Sequence, residues 1–128
     1  MVSELSVTEG APLTLSCNVA RVHGELSITW QHKKDSLGSS FSDVISLSRQ
    51  GVMEPGPQYQ HRALRTFRSA GGSIVLEMGE AGVPDDGVYM CTVSEWSRDI
   101  GGGEKKTASQ SQQCSVDVTS LGKLPNHR

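Results

Sequence analysis

The run Asp85-Asp86-Gly87-Val88-Tyr89-Met90-Cys91 is the part of this chain from which its architecture is most directly predicted. An earlier cysteine, Cys17, and a tryptophan, Trp30, precede it in the chain. We interpret this arrangement as a disulfide across two β-sheets, a tryptophan packed on that disulfide, and a tyrosine that holds the following corner. A small domain stabilises a two-sheet sandwich with difficulty through core burial alone, so such a covalent tie is valuable.

The length and composition predict one domain. The chain has 128 residues, of which 35% are hydrophobic and 5% aromatic. This is enough apolar material for one core, built mainly from Val, Leu, Ile and Met rather than from large rings. We expect the domain to occupy residues 1–120 and the polar segment 121–128 to be a C-terminal linker or a frayed tail.

Charge and hydropathy argue against several kinds of partner. The formal net charge is −2 and the pI is about 6.0, so no overall field favours nucleic acid or an anionic lipid surface. No segment approaches the ~20 consecutive apolar residues of a membrane span, so no direct membrane insertion is expected. No apolar run at the N-terminus indicates a secretion signal, although a structural disulfide indicates an oxidising compartment. We therefore expect a domain cut from a longer, exported precursor.

Alternation of apolar and polar residues predicts an all-β fold of about nine short strands without a helix. The segment Pro55-Gly56-Pro57 is expected to exclude regular pairing, because proline has no backbone donor. The predicted strands are centred on residues 5–7, 13–19, 28–32, 44–47, the neighbourhood of 52, 63–67, 74–78, 88–93 and 114–118.

The interval between Cys17 and Cys91 is longer than a seven-stranded sandwich of constant type requires. Two extra strands between the third and fourth would fill it, and residues 44–47 and those around Val52 are the candidates. In the chain-entropy model, a disulfide closing a loop of that length stabilises the fold by about 4.5 kcal/mol.

These features resemble an immunoglobulin domain of the variable type, a two-sheet sandwich, and the resemblance spans nearly the whole chain. The residues that carry it are Cys17, Trp30, Leu76 and the pattern Asp85-x-Gly87-x-Tyr89-x-Cys91. The resemblance implies that Asp85 pairs with an arginine at the start of the fourth strand of the basic sandwich. Arg62 and Arg65 both qualify, and the sequence leaves the choice open.

A narrower resemblance follows the second cysteine. Val93-Ser94-Glu95-Trp96, together with residues 57–62, is similar to the EWI subfamily of cell-surface immunoglobulin proteins, named for a Glu-Trp-Ile tripeptide at this place. Ser97 stands where that tripeptide has isoleucine. The resemblance implies the ectodomain of a single-pass plasma-membrane protein that associates laterally with tetraspanins and modulates adhesion and migration.

Two neighbouring regions are candidates for partner binding. Met90 and Thr92 point away from Cys91, onto the outer face of the front sheet, where a solvated surface is the plain alternative. Trp96 is either an aromatic anchor for a partner or a ring packed over the base of the hairpin. The hairpin loop that follows is either a recognition loop or a mobile turn. The complete candidate set is Met90, Thr92, Glu95, Trp96, Arg98 and Ile100.

Cys114 is the odd cysteine. Its alternation with Val116 and Val118 predicts a half-buried thiol that behaves as a small hydrophobe. A bond to another chain and a free reactive thiol are the alternatives.

The sequence shows no pattern typical of a metal site, a cofactor site or a catalytic site. The histidines, His23, His32, His61 and His127, lack metal-ligand spacing and are expected at exposed strand or loop positions. Asp85-Asp86 lacks the rest of a calcium loop.

We therefore expect a non-enzymatic recognition module without a cofactor. Its partner would be a protein: a cell-surface protein, a tetraspanin or an immune ligand. The ligand-binding domain of an immune receptor or co-receptor, a homodimer through the front sheet, and a spacer domain without a partner are the alternatives.

Overall fold

The computed structural model describes residues 3–18, 25–34, 40–98 and 101–121. They form two β-sheets and two single turns of 3-10 helix, at Pro57–Tyr59 and Val83–Asp85. The predicted all-β sandwich of about nine strands is confirmed. The strands are β1 (Ser3–Thr8), β2 (Leu13–Cys17), β3 (Glu25–Lys33), β4 (Ser42–Leu47), β5 (Met53–Pro55), β6 (Leu64–Arg68), β7 (Ile74–Met78), β8 (Gly87–Arg98) and β9 (Glu104–Thr119).

The strand order is that of a variable-type sandwich. One sheet has six strands in the order β1-β9-β8-β3-β4-β5, and the other has three in the order β2-β7-β6. All pairs are antiparallel except β1 with β9, which is parallel. The two strands predicted between the third and fourth, β4 and β5, extend the sheet that contains β3, β8 and β9, as the variable type requires.

The core lies between the sheets and is built from alternate residues of each strand. In β2 and β7 every second side chain is buried, which is the period expected when one face of a strand packs inward. Trp30 of β3 is 1% exposed, and its indole nitrogen donates a hydrogen bond to the Thr66 hydroxyl of the opposite sheet at 2.9 Å. Leu76, predicted as a core residue, is fully buried.

Cys17 and Cys91 face each other from the two sheets. Cys17 ends β2, Cys91 lies in β8, and both side chains are buried in the core cluster. The two sulfur atoms lie within interaction distance of each other. The geometry brings the two sulfurs together, and the disulfide between them stays a prediction.

Arg62 is the arginine that pairs with Asp85. Its Nη1 and Nη2 atoms lie 2.7 and 2.8 Å from Oδ1 and Oδ2 of Asp85, and Nη2 also donates to the Glu80 carbonyl. Arg65 instead pairs with Glu77 at 2.7 Å, on the exposed face of the smaller sheet. The bidentate pair fixes the segment before β6 to the turn before β8.

Tyr89 holds the corner that precedes β8, and the expectation that it holds the following corner was wrong. Its hydroxyl donates to the Asp85 carbonyl at 2.6 Å, four residues back along the chain. The ring points inward from β8 and is fully buried, so its hydroxyl reaches the chain where it enters the strand.

His32 is buried, whereas an exposed strand or loop position was expected from the sequence. It continues the inward alternation of β3 after Trp30, is 8% exposed, and its ring centroid lies 4.6 Å from that of Tyr89. Its Nε2–H group donates to the Asp86 carbonyl at 2.9 Å. This hydrogen bond makes an inward histidine tolerable. His61 is exposed as expected, and His23 and His127 lie outside the described residues.

Pro55 takes part in regular pairing, contrary to expectation. It is the last residue of β5 and lies opposite Ile45 of β4. Because β5 is at the edge of its sheet, a residue without a backbone donor is tolerated there. The pairing ends just afterwards, with a hydrogen bond from the Gly56 amide to the Val44 carbonyl.

The two ends of the domain are described in part. Val19, expected in the second strand, lies outside the described residues. Of the predicted tail only Leu121 is described, and it is 58% exposed with its amide bonded to the Glu9 carboxylate. The boundary at residue 120 stays a prediction.

We expect the Asp85–Arg62 pair to make the free energy of unfolding depend on pH in the acid range. Burial raises the pKa of Asp85, but the hydrogen bonds from Arg62 and Gly82 and the charge of Arg62 outweigh it, so the folded-state pKa lies below its usual value. A lowered carboxyl pKa contributes stability above the unfolded pKa of about 3.9, and that contribution is lost as pH falls through the folded value. Asp85→Asn should lower the free energy of unfolding by about 2 kcal/mol at neutral pH. Urea titrations at a series of pH values from 7 downwards measure this. The difference in unfolding free energy between wild type and Asp85→Asn should become smaller in acid, and a difference independent of pH would contradict the prediction.

We expect Gly87 to be irreplaceable by a residue with a side chain. Its φ is 137°, and a Cβ atom would collide with the backbone carbonyls of Lys33 and Lys34. Gly87→Ala should therefore cost at least about 3 kcal/mol in chemical denaturation. Gly51→Ala is the control, because φ is also positive there but nothing lies within 4 Å of a Cβ atom; it should cost about 1 kcal/mol. Equal losses of unfolding free energy in the two variants would contradict the prediction, because the backbone around residue 87 would then have moved to make room for the Cβ atom.

Candidate interaction face

The outer surface of the six-stranded sheet, which we call the front face, carries Met90, Thr92 and Trp96 from the set of candidate binding residues. Cys91 and Val93 point into the core from β8, so the residues between and beside them point outward. Most outward side chains of the three central strands are hydroxyls and amides. These polar side chains are Thr29 and Gln31 of β3, Thr92 and Ser94 of β8, and Ser109, Ser111 and Gln113 of β9. Met90 of β8 also points outward.

Hydroxyl pairs run along the boundary between β8 and β9. Thr92 and Ser111 are hydrogen-bonded at 3.1 Å, and Ser94 and Ser109 at 3.4 Å. Each hydroxyl has one donor and two acceptor lone pairs, so pairing with a neighbour leaves capacity for a further bond. The centre of the front face therefore presents ordered hydrogen-bonding groups at Thr92, Ser109 and Ser111, while Ser94 is buried and Met90 is a half-buried apolar neighbour.

Trp96 lies at one end of this face. The pairing between β8 and β9 shifts at Glu95 and Trp96, where Thr107 is an extra residue whose hydroxyl donates to the Glu95 carbonyl. A bulge of this kind increases local twist and re-aims side chains. The Trp96 indole nitrogen donates to the Ser27 hydroxyl of β3 at 3.0 Å, so its polar edge is already satisfied.

Two cations lie against the Trp96 ring. The Arg49 guanidinium carbon is 4.4 Å from the ring centroid, and the Lys106 ammonium nitrogen is 5.7 Å from it. Such contacts contribute about 0.5–1 kcal/mol each at exposed sites. Arg49 belongs to the turn between β4 and β5, so the ring connects this turn to β3 and β9. The contacts agree with the packing interpretation, and half-burial leaves part of the ring available to a partner.

The hairpin beyond Trp96 is longer and more regular than expected. The return strand was expected to begin at Cys114, whereas β9 begins at Glu104, opposite Arg98. Residues 104–113 show no apolar alternation because they are mostly exposed, and it is backbone pairing with β8 that makes them a strand. Ile100 lies outside the described residues.

Cys114 points to the core side of β9. It lies between Tyr89 of β8 and Ser3 of β1 and packs, half-buried, against the core cluster. Burial raises the pKa of its thiol. A raised pKa reduces the thiolate fraction and hence the reactivity, which agrees with the interpretation of Cys114 as a small hydrophobe.

Other kinds of site find no support in the described part of the chain. No three side chains among His, Cys, Asp and Glu there are grouped so as to hold a metal ion. The described residues also include no helix with the length and apolar character of a membrane span.

Comparison with known proteins identifies relatives of this chain. The family model described as immunoglobulin domain matches residues 3–98. Immunoglobulin superfamily member 3 of Xenopus tropicalis is 36% identical over 123 residues, which is 91% of this chain and 10% of that protein. Immunoglobulin superfamily member 2 of Mus musculus is 32% identical over 102 residues, covering 74% of this chain and 10% of that protein.

A third relative is the prostaglandin F2 receptor negative regulator of Rattus norvegicus. It is 30% identical over 104 residues, covering 76% of this chain and 12% of that protein. The chain thus spans about a tenth of the length of these relatives. This set of relatives confirms the resemblance to the EWI subfamily. With the two-sheet fold and the match over residues 3–98, the chain belongs to the immunoglobulin domain family.

Proposed function

We propose that this chain is a non-catalytic recognition module in the ectodomain of a cell-surface immunoglobulin-superfamily protein. It acts in adhesion or in lateral association with another membrane protein such as a tetraspanin. The single observation that carries the proposal is the front face, where paired hydroxyls of β8 and β9 border a half-buried tryptophan contacted by two cations.

The groups on this face suit protein recognition. Trp and Arg are over-represented among residues that dominate binding energy, and Trp96 with Arg49 places both types together. Hydroxyls that are already ordered lose little further freedom when a partner binds them. The tryptophan end would supply affinity, and the hydroxyls would fix the orientation of the partner.

The reactive side chains of the corner support a role without catalysis. The carboxylate of Asp85 is held by Arg62, the hydroxyl of Tyr89 by the Asp85 carbonyl, and His32 by the Asp86 carbonyl. Each of these groups stabilises the entry to β8. A general base needs a free acceptor beside a nucleophile, and the oxygens of the Asp85 carboxylate are already taken by Arg62 and Gly82.

The alternative is a variable-type domain of an immune receptor or co-receptor that binds a ligand on another cell through the same face. One relative is named as a negative regulator of a receptor, which supports a function through association with another protein. The two functions are distinguished by whether association requires both proteins on one cell or on apposed cells.

We expect Thr92→Arg to abolish association without unfolding the domain, because it places a long cation at the centre of the front face. The measurement is co-precipitation and cell aggregation with the intact surface protein, together with the thermal unfolding of the isolated domain. Ala70→Arg is the control, since it adds the same side chain at an exposed turn of the other sheet. Equal association by both variants and wild type would contradict a front-face site and favour a spacer role.

We propose further that Cys17 and Cys91 form a disulfide in an extracellular, oxidising environment. Peptide mapping of secreted protein without reduction should recover the two cysteines linked. Reduction should lower the free energy of unfolding by up to about 4.5 kcal/mol. Cys114→Ser is the control and should leave the link intact. Recovery of Cys17 as a free, alkylated thiol would contradict the proposal.

A further inference from the structure

The bulge in β9 decides which of two neighbouring lysines lies beside Trp96. Counted in steps of two from the outward Ser109, strict alternation would place Lys105 on the front face. The extra residue Thr107 shifts the alternation by one, so that Lys106 lies opposite Trp96 instead. Bulges of this kind are frequent beside functional sites, where they re-aim a side chain. The irregularity in β9 therefore adds a positive charge to the tryptophan end of the front face.

The Lys106 ammonium group is exposed and has hydrogen-bonding capacity left. Its nitrogen lies 5.7 Å from the centroid of the Trp96 ring, which attracts a cation but offers no oxygen acceptor to its three N–H donors. No ion pair joins Lys106 to a carboxylate among the described residues. Glu25 is the acidic residue opposite Trp96, and it lies on β3, on the other side of β8 from Lys106.

We propose that the protein partner of the front face presents an acidic segment, with an aspartate or glutamate carboxylate bound to the Lys106 ammonium and an apolar group over the Trp96 ring. This inference rests on the proposed function and names the chemical class of its partner. A partner that covers the ring also removes water from the ammonium, and a buried cation without an acceptor is costly. A carboxylate restores a short, charge-assisted hydrogen bond and neutralises the charge.

The same segment can reach the hydroxyls at the centre of the face. Thr92 lies four residues before Trp96 on β8, which is about 13 Å along an extended strand. A partner segment of about four extended residues therefore spans from the lysine to the pair formed by Thr92 and Ser111. A basic segment in this position would bring its charge against Lys106 and be rejected.

A defined peptide tests the acidic class of partner. The probe is a six-residue peptide that alternates glutamate with alanine, and a peptide with glutamine in place of glutamate is its neutral match. Trp30 is 1% exposed, so a change in tryptophan fluorescence on adding peptide reports on the half-buried Trp96. We expect saturable, millimolar binding of the glutamate peptide and binding at least about fivefold weaker for the glutamine peptide.

Two charge-reversal variants provide the matched comparison. Lys106→Glu should weaken binding of the glutamate peptide at least about tenfold. Lys105→Glu changes the overall charge equally, but Lys105 lies opposite Ser97 and points away from the front face, and both lysines are exposed. At about 0.15 M salt, where screening is strong beyond about 8 Å, Lys105→Glu should change binding by no more than about twofold. Circular dichroism melting verifies that both variants fold.

Four results would overturn the proposal: no saturable binding of the glutamate peptide up to about 10 mM, equal binding of the two peptides, unchanged binding by Lys106→Glu, or equal losses in the two lysine variants. Any of them, with Thr92→Arg still abolishing association, removes the acidic class of partner and leaves the front face as the site. Equal association by Thr92→Arg and wild type instead removes the proposed function itself.

Discussion

The ion pair between Arg62 and Asp85 is the contact on which the rest of the structure depends. Asp85 is 2% exposed, and its oxygens are fully used: Arg62 and Gly82 donate to the carboxylate and Tyr89 donates to the main-chain carbonyl. A carboxylate buried this deeply is tolerable only because each acceptor is satisfied. The corner thereby fixes where β8 begins, and with it which residues of β8 face the core and which face outward.

Because the corner fixes where β8 begins, it also determines which side chains of β8 lie on the front face. It is hydrogen-bonded to β3 along nine residue pairs and to β9 along almost its whole length. A slip of one residue would turn Cys91 outward and bring Thr92 into the core. The buried Tyr89, Cys91 and Val93 therefore determine that Thr92, Ser94 and Trp96 lie on the front face. The register of β8 therefore determines both the side chains that stabilise the core and the side chains that are available for recognition.

The sequence predicts the parts of this molecule that depend on local alternation and misses those that depend on contacts distant in sequence. Apolar alternation and the spacing of the cysteines were enough for the sandwich and its two additional strands. The first half of β9 was missed because its polar residues carry no period, and pairing with β8 alone makes it a strand. His32 followed the alternation of β3, but its residue type suggested exposure. Neither the choice of Arg62 nor the contact of Arg49 with Trp96 is visible without the fold.

The polarity of the front face limits how it can bind. A hydrogen bond to a partner replaces one to water, so each hydroxyl contributes about 1 kcal/mol or less to affinity, yet a mispaired buried hydroxyl costs more than that. Thr92 and Ser111 therefore exclude wrong partners more strongly than they hold the right one. Apolar burial must supply most of the affinity, and Trp96 and Met90 are half-buried apolar side chains on the front face that offer area for it. Because the Lys106 ammonium lies against the Trp96 ring, a partner that covers the ring also covers this charge, which favours a partner surface with carboxylates or main-chain carbonyls.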